Sequence, residues 1–221
     1  MYCGNCLQQT SEKNRYCEHC SFDLIHLQKL LNEPDEVEEE EEGFRPASEV
    51  ARRCLILCAV VAVSHEEDRT SIIAWLKSEG LWKDVSPDER SLFQSKKPTK
   101  KKLIQASWRV EALHVLLWAL QLVPTITDDK TRADQSSLKK LLPFRASTSN
   151  FVINSELRAD SAIFDMKDAI YQAQWTVRDA EVNGKPAPQD IDPGIIVERH
   201  YAINWLMGYL GQAWDDVTTD T

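Results

Sequence analysis

The sequence predicts an all-α, multi-helix globular domain preceded by a small ribbon that carries four cysteines. Beyond residue 46, apolar residues recur with the 3.6-residue period of helices. Serine, threonine and aspartate precede these segments, and glycine or proline follows them, as at helix ends. Alternation typical of strands is absent outside the ribbon. Together these patterns favour an all-α domain over an α/β or all-β fold.

The four cysteines form two pairs of the same spacing, Cys3 with Cys6 and Cys17 with Cys20, each pair preceded by tyrosine. A Cys-x-x-Cys turn presents two thiolates at adjacent corners of a tetrahedron, and two such turns complete a closed structural zinc site. So short a segment buries too little apolar surface to fold alone, whereas zinc supplies on the order of 10–16 kcal/mol. We therefore predict one structural zinc ion bound by all four thiolates.

Two other interpretations of the cysteines are less consistent with the sequence. A redox Cys-x-x-Cys pair is typical of a strand-helix-strand pattern, which is absent, and a disulfide framework is typical of secreted chains. The N-terminus has no basic stretch followed by an apolar run, so we expect no cleavable signal peptide and a cytoplasmic location. His19 is a substitute ligand only if a sulfur is missing, and we interpret it as an exposed turn residue.

The most apolar segment, residues 54–63, predicts a buried helix. It has about half of the roughly 20 residues that a membrane-spanning helix needs. Its Cys54 and Cys58 lie one helical turn apart and are expected to pack as small apolar groups. We therefore expect no contact with a membrane.

Negative charge is concentrated in one segment. The formal net charge is −9, and residues 33–42 contain eight acids and no base, so the rest of the chain is nearly neutral. Such a run repels itself and predicts an extended acidic linker over 33–45. This divides the chain into a ribbon with a short helix from Ser21 (1–32) and a helical domain (46–221). Without a basic face, we do not expect nucleic acid to be a partner, and the five lysines within 96–102 are interpreted as a solvated helix start.

Local signals place the helices of the domain. The most complete start is Ser86-Pro87-Asp88-Glu89, which combines a serine cap, proline at the first helical position and a glutamate three residues after the cap. Gly80 and Gly184 predict helix ends. The predicted helices cover residues 48–63, 68–79, 86–95, 99–122, 136–142, 149–157, 160–182 and 192–210.

The helix through residues 112–120 is the predicted hub of the domain, because His114 is its only polar residue there. Two helices are its predicted neighbours. One contains Ile163, Phe164, Ile170, Trp175 and Val177, and the other runs from Ile195 through Tyr201, Ile203, Trp205, Leu206 and Leu210. All seven tryptophans lie in this domain, and without a basic groove they are interpreted as core anchors rather than base-stacking platforms.

Several charged residues and histidines occur on these apolar helices or in the C-terminal tail, and they predict a buried polar network. Isolated buried charge is costly, so ion pairs that fix helix packing are the favoured interpretation. The alternative is metal-dependent or acid–base catalysis in a shared cleft. Trp214 is predicted to dock on the helices while a tail aspartate pairs with Arg178 or Arg199. The candidate network consists of Arg109, Glu111, His114, Arg178, Glu198, Arg199, His200 and Asp215, with Asp216 and Asp220 beside them.

Four ordered motifs resemble a bacterial family known as domain of unknown function 4272: EGLWKDVSP from Glu79, SWRVEAL from Ser107, ERHYAINW from Glu198 and WDDVTTDT from Trp214. The resemblance covers about residues 46–221 and implies one compact domain, to which the cysteine ribbon and acidic run are an addition. It implies no activity and therefore assigns no functional residue. The sequence as a whole predicts a non-enzymatic binding or adaptor module whose partner is another protein.

Overall fold

The computed structural model describes residues 8, 9, 18–20, 43–186 and 188–219, and it divides the chain into two units, 1–42 and 43–221. In the first unit, residues 18–20 form a turn, and His19 Nε2 lies 3.3 Å from the carbonyl oxygen of Gln9. Outside the described residues lie Cys3, Cys6 and Cys17, the predicted short helix from Ser21, the acidic run at 33–42 and Asp220.

The described part of the second unit is all-α, as predicted, and contains eight α-helices and three short 3-10 turns. No helix within the described ranges is long and apolar enough to cross a membrane. The helices are α1 (Ala47–Ser64), α2 (Arg69–Ser78), α3 (Pro87–Gln94), α4 (Lys100–Ala119), α5 (Gln135–Lys139), α6 (Ser149–Ile153), α7 (Asp160–Val182) and α8 (Pro193–Leu206). The 3-10 turns cover Trp82–Asp84, Tyr209–Gly211 and Trp214–Asp216.

The starts of α2, α3 and α4 follow the sequence signals. Asp68 caps α2 by accepting hydrogen bonds from two backbone N–H groups, and Thr99 caps α4 by accepting one from the N–H of Lys102. Ser86 and Glu89 form the predicted capping box at α3. Four helices end three or four residues earlier than predicted, namely α4 at Ala119, α5 at Lys139, α6 at Ile153 and α8 at Leu206. After α4 and α8 the chain turns through left-handed backbone at Gln121 (φ 63°) and Gly208 (φ 68°).

Helix α4 is central, as predicted, and packs most extensively on α1 and α8. The importance of α1 as a neighbour was not predicted, although its residues 53–63 are all buried. The prediction that α7 neighbours the hub is confirmed in part: α7 packs mainly on α8, while Ile163 and Ile170 join the same buried core as the hub residues. The buried face of α7 includes Ile163, Ile170 and Val177, which are spaced by seven residues.

Candidate functional site

Arg199 and Glu111 form an ion pair at the centre of the domain, and both side chains are fully buried. Arg199 Nε donates to Glu111 Oε2 at 3.1 Å, and Glu111 Oε1 accepts from the backbone N–H of Ala133 at 2.6 Å. The other four guanidinium N–H groups have acceptors in the 127–129 loop, including the Asp129 carboxylate at 3.0 Å. All five donors of Arg199 therefore serve to tie this loop and α4 to α8.

A second pair, Arg109 and Glu198, joins the same two helices at 3.1 Å. It lies in the wall of a cavity of about 300 Å³, which Asp88 and Asp215 also line. Burial raises the pKa of the Glu198 carboxyl, and the Arg109 guanidinium opposes that shift. Arg109 thus favours the ionised carboxylate against the cost of its burial.

His114 and His200 are buried but belong to neither pair. Burial lowers the pKa of His114 to about 4, with a further contribution from the Arg199 charge, and a hydrogen bond with the Thr125 backbone opposes it. Burial likewise lowers the pKa of His200, as does the charge of Lys167. Both imidazoles are therefore neutral near pH 7 and act as polar members of the core.

Arg178 and Asp215 depart from the predicted network. The Arg178 side chain is 60% exposed and pairs with Glu181 one turn away on α7, so its assignment to a buried network is wrong. Asp215 Oδ2 accepts a 2.9 Å hydrogen bond from the backbone N–H of Asp88 in the first turn of α3. The prediction that a tail aspartate pairs with Arg178 or Arg199 is therefore wrong for Asp215, because the positive end of α3 attracts its carboxylate instead.

Trp214 docks on the helices, as predicted, and it does so within a layer of alternating guanidinium and aromatic groups that the sequence did not predict. We call this layer the arginine–aromatic stack. Its contacts place Arg45 over Trp205 at 4.6 Å, Arg53 over Trp214 at 4.7 Å and Arg109 over Tyr201 at 4.3 Å.

The members of the stack also contact one another and carry their own counter-charges. The Trp214 ring centroid lies 5.3 Å from that of Trp205 and 5.0 Å from that of Tyr201, both in edge-to-face geometry. Burial raises the pKa of Tyr201 to about 12, and its neutral hydroxyl donates to the Trp214 carbonyl oxygen. The paired carboxylates are those of Glu49 for Arg45, Glu89 for Arg53 and Glu198 for Arg109.

A cleft of about 930 Å³ lies beside the stack, between the start of α1, the segment before α3 and the C-terminal tail. The arginines that line the cleft are already ion-paired. Arg45 and Arg53 pair with glutamates, and Arg52 pairs with Asp84 at 2.5 Å. Among the described residues, no group of three or more His, Cys, Asp or Glu side chains has an arrangement that could hold a metal ion. The pairs of Arg52 with Asp84 and of Arg53 with Glu89 join α1 to the segment around the start of α3.

The other candidate is an apolar surface on α7. Phe164 and Trp175, predicted to pack against the hub, are instead 48% and 52% exposed, and Val182 is 73% exposed. Together with half-buried Tyr171 they are spaced by 7, 4 and 7 residues, which places all four on one helical face. We call these four residues the α7 stripe.

Fold and site together define an all-α domain whose buried charges are paired and whose tail is held by an arginine–aromatic stack. The chain belongs to the family described as domain of unknown function (DUF4272), whose family model matches residues 32–217. This confirms the resemblance, and the match begins at residue 32, so it also includes the acidic run. No curated protein and no solved structure matches the chain.

Proposed function

We propose that this chain is a cytoplasmic zinc-binding protein whose helical domain is a non-enzymatic protein-binding module. The observation that carries the proposal is the α7 stripe, a line of four side chains on one face of a 23-residue helix. Phe164, Trp175 and Val182 are 48%, 52% and 73% exposed. Phe164 also contacts Phe44, and half-buried Tyr171 also contacts His200. Large contiguous apolar surface is unusual on a monomer and marks binding sites, whereas single exposed apolar residues do not. Trp and Tyr are also the residues most enriched at the energetic centres of protein interfaces.

The pairing of the charged residues supports a binding module over an enzyme. Every N–H donor of the Arg199 guanidinium has an acceptor within the chain, and each arginine of the stack forms an ion pair with a glutamate. Such groups stabilise the fold that presents α7. The observation most favourable to acid–base catalysis is Glu198, whose pKa is raised beside the 300 Å³ cavity. Its direct pairing with Arg109 supports a structural role instead.

A photo-crosslinking amino acid at position 175 tests the α7 stripe in cells. We expect a discrete crosslinked species from position 175, and we expect Val182→Asp to abolish it because a buried carboxylate disfavours the interface. The matched control carries the same amino acid at Ile104, a half-exposed apolar residue of α4, and should yield none. Equal crosslinking from both positions, or none from position 175, would contradict the proposal.

The zinc site is proposed on the four cysteines and is tested separately. We expect one zinc ion per chain by elemental analysis, and Cys17→Ser should release it while the thermal unfolding of the helical domain is preserved, because that core lies in the second unit. Cys58→Ser is the control, since Cys58 is buried in α1 and should not affect zinc content. Protein purified without chelator and found to lack zinc would refute the site.

A further inference from the structure

We infer that the α7 stripe binds a second copy of this chain, with the two α7 helices side by side and parallel about a two-fold axis that runs along them. This inference rests on the proposed function, since it names the partner of the same surface. What points to a second copy is the distribution of charge on either side of the stripe.

The stripe has an acidic flank and a basic flank. At about 100° per residue, Asp168 and Asp179 lie about 40° and 60° to one side of the stripe, and Arg178 and Lys167 lie about 40° and 60° to the other. Asp160, in the first turn of α7, also lies on the basic side. The present partners of the other four are near in sequence: Lys167 pairs with adjacent Asp168 at 3.0 Å, Arg178 pairs with Glu181 at 3.4 Å and Asp179 pairs with Lys185 at 2.7 Å. Exposed local pairs of this kind contribute little to stability, so they exchange readily for pairs across an interface.

A parallel two-fold arrangement brings opposite flanks together. Rotation about an axis along the helices places the acidic flank of one copy against the basic flank of the other at the same height. Asp168 then lies opposite Lys167 of the second copy, and Asp179 lies opposite Arg178 of the second copy, each offset by one residue or about 1.5 Å along the axis. Because the axis relates the two copies, each of these contacts occurs twice.

An antiparallel arrangement brings like flanks together. Its two-fold axis is perpendicular to both helices, so the two helices run in opposite directions. The acidic flank of one copy then faces the acidic flank of the other, and the basic flank faces the basic flank. Asp168 would then lie near Asp179 of the second copy, and Lys167 near Arg178 of the second copy. Like charges across an interface are strongly unfavourable, so the charge pattern selects the parallel pair.

The centre of the parallel interface consists of the stripe itself. Each residue of the stripe lies beside the same residue of the second copy. Aromatic contacts therefore extend along much of the helix, since three of the four residues are Phe164, Tyr171 and Trp175. A helix of 23 residues is about 35 Å long, and an interface one helix wide belongs to the small class of weak, reversible contacts. The dimer should therefore depend on protein concentration and on salt.

Sedimentation equilibrium of the full chain tests the inference. We expect a monomer–dimer equilibrium at low salt and at least a tenfold increase in the dissociation constant for Trp175→Ala. Reversing the basic flank alone, with Lys167→Glu and Arg178→Glu, should abolish the dimer because acidic residues then lie on both sides. A control with the same charge change at Lys100 and Lys101, at the start of α4, should dimerise like the parent.

Reversing both flanks distinguishes the parallel pair of α7 helices from any other mode of association. Adding Asp168→Lys and Asp179→Lys to the one-flank variant restores complementarity only between two copies in parallel, so the dimer should return. A chain that stays monomeric up to about 1 mM, a dimer insensitive to Trp175→Ala, or a double-flank variant that stays monomeric would overturn the inference. A crosslink from position 175 to a different protein, together with a monomeric chain, would refute the second copy alone. Absence of both crosslink and dimer would refute the α7 stripe as a binding surface.

Discussion

Glu111→Gln is expected to lower the free energy of unfolding by about 3 kcal/mol. The substitution leaves the fully buried Arg199 guanidinium without its buried counter-charge, and breaking such a pair costs about 3–5 kcal/mol. We expect the lower end of this range because Asp129, at 3.0 Å from Arg199, keeps its carboxylate. With the glutamine carbonyl oxygen accepting from the Ala133 N–H, the amide NH2 group faces the Arg199 Nε–H, so the loss includes this hydrogen bond as well as the charge.

Equilibrium urea unfolding followed by circular dichroism measures this effect. Glu181→Gln is the matched control, because it makes the same chemical change in the exposed pair with Arg178 and should alter stability by less than about 0.5 kcal/mol. A Glu111→Gln protein as stable as the parent would show that the buried pair is held at a cost to the fold, as active-site groups commonly are.

The helices were predictable because their signals are local. Each start signal acts within four residues, and the predicted span 160–182 is the observed α7. The position of a helix end was predicted less accurately where it depends on a single residue in left-handed backbone. Gln121 adopts a φ of 63° without the glycine that usually marks such an end, so α4 was predicted three residues too long.

The packing of the helices was less predictable, because apolar periodicity identifies a buried face but not the element that covers it. For α7 the sequence contains two apolar lines, one through Ile163, Ile170 and Val177 and one through Phe164 and Trp175. Only the first is buried. Its unbroken seven-residue spacing was the available signal, and it would also have placed Arg178 on the solvent side.

The candidate site shows the same division between local and long-range information. Arg199 and Glu111 were found because a charge on an apolar helix needs a partner. Arg45 and Arg53 were missed, because their aromatic partners in the stack, Trp205 and Trp214, lie far along the chain. No local spacing encodes such contacts, which are determined by how the helices pack.

Trp214→Ala is expected to lower the free energy of unfolding by about 3–5 kcal/mol, or the melting temperature by about 10 °C. Trp214 is 4% exposed and lies against the guanidinium of Arg53 and the rings of Trp205 and Tyr201, so its loss leaves a cavity and removes aromatic and cation–π contacts. Asp215, which caps α3 from the same turn, should be released with it.

Trp175→Ala is the matched control, measured by calorimetry at low micromolar concentration so that self-association does not contribute. The same side chain is removed, but Trp175 is half exposed on α7 and should cost about 1 kcal/mol or less. The two substitutions should therefore affect different properties. Trp214→Ala should lower the stability of the fold, and Trp175→Ala should weaken self-association. Equal melting temperatures for the two variants would mean that the C-terminal tail contributes no more to the fold than an exposed residue of α7 does.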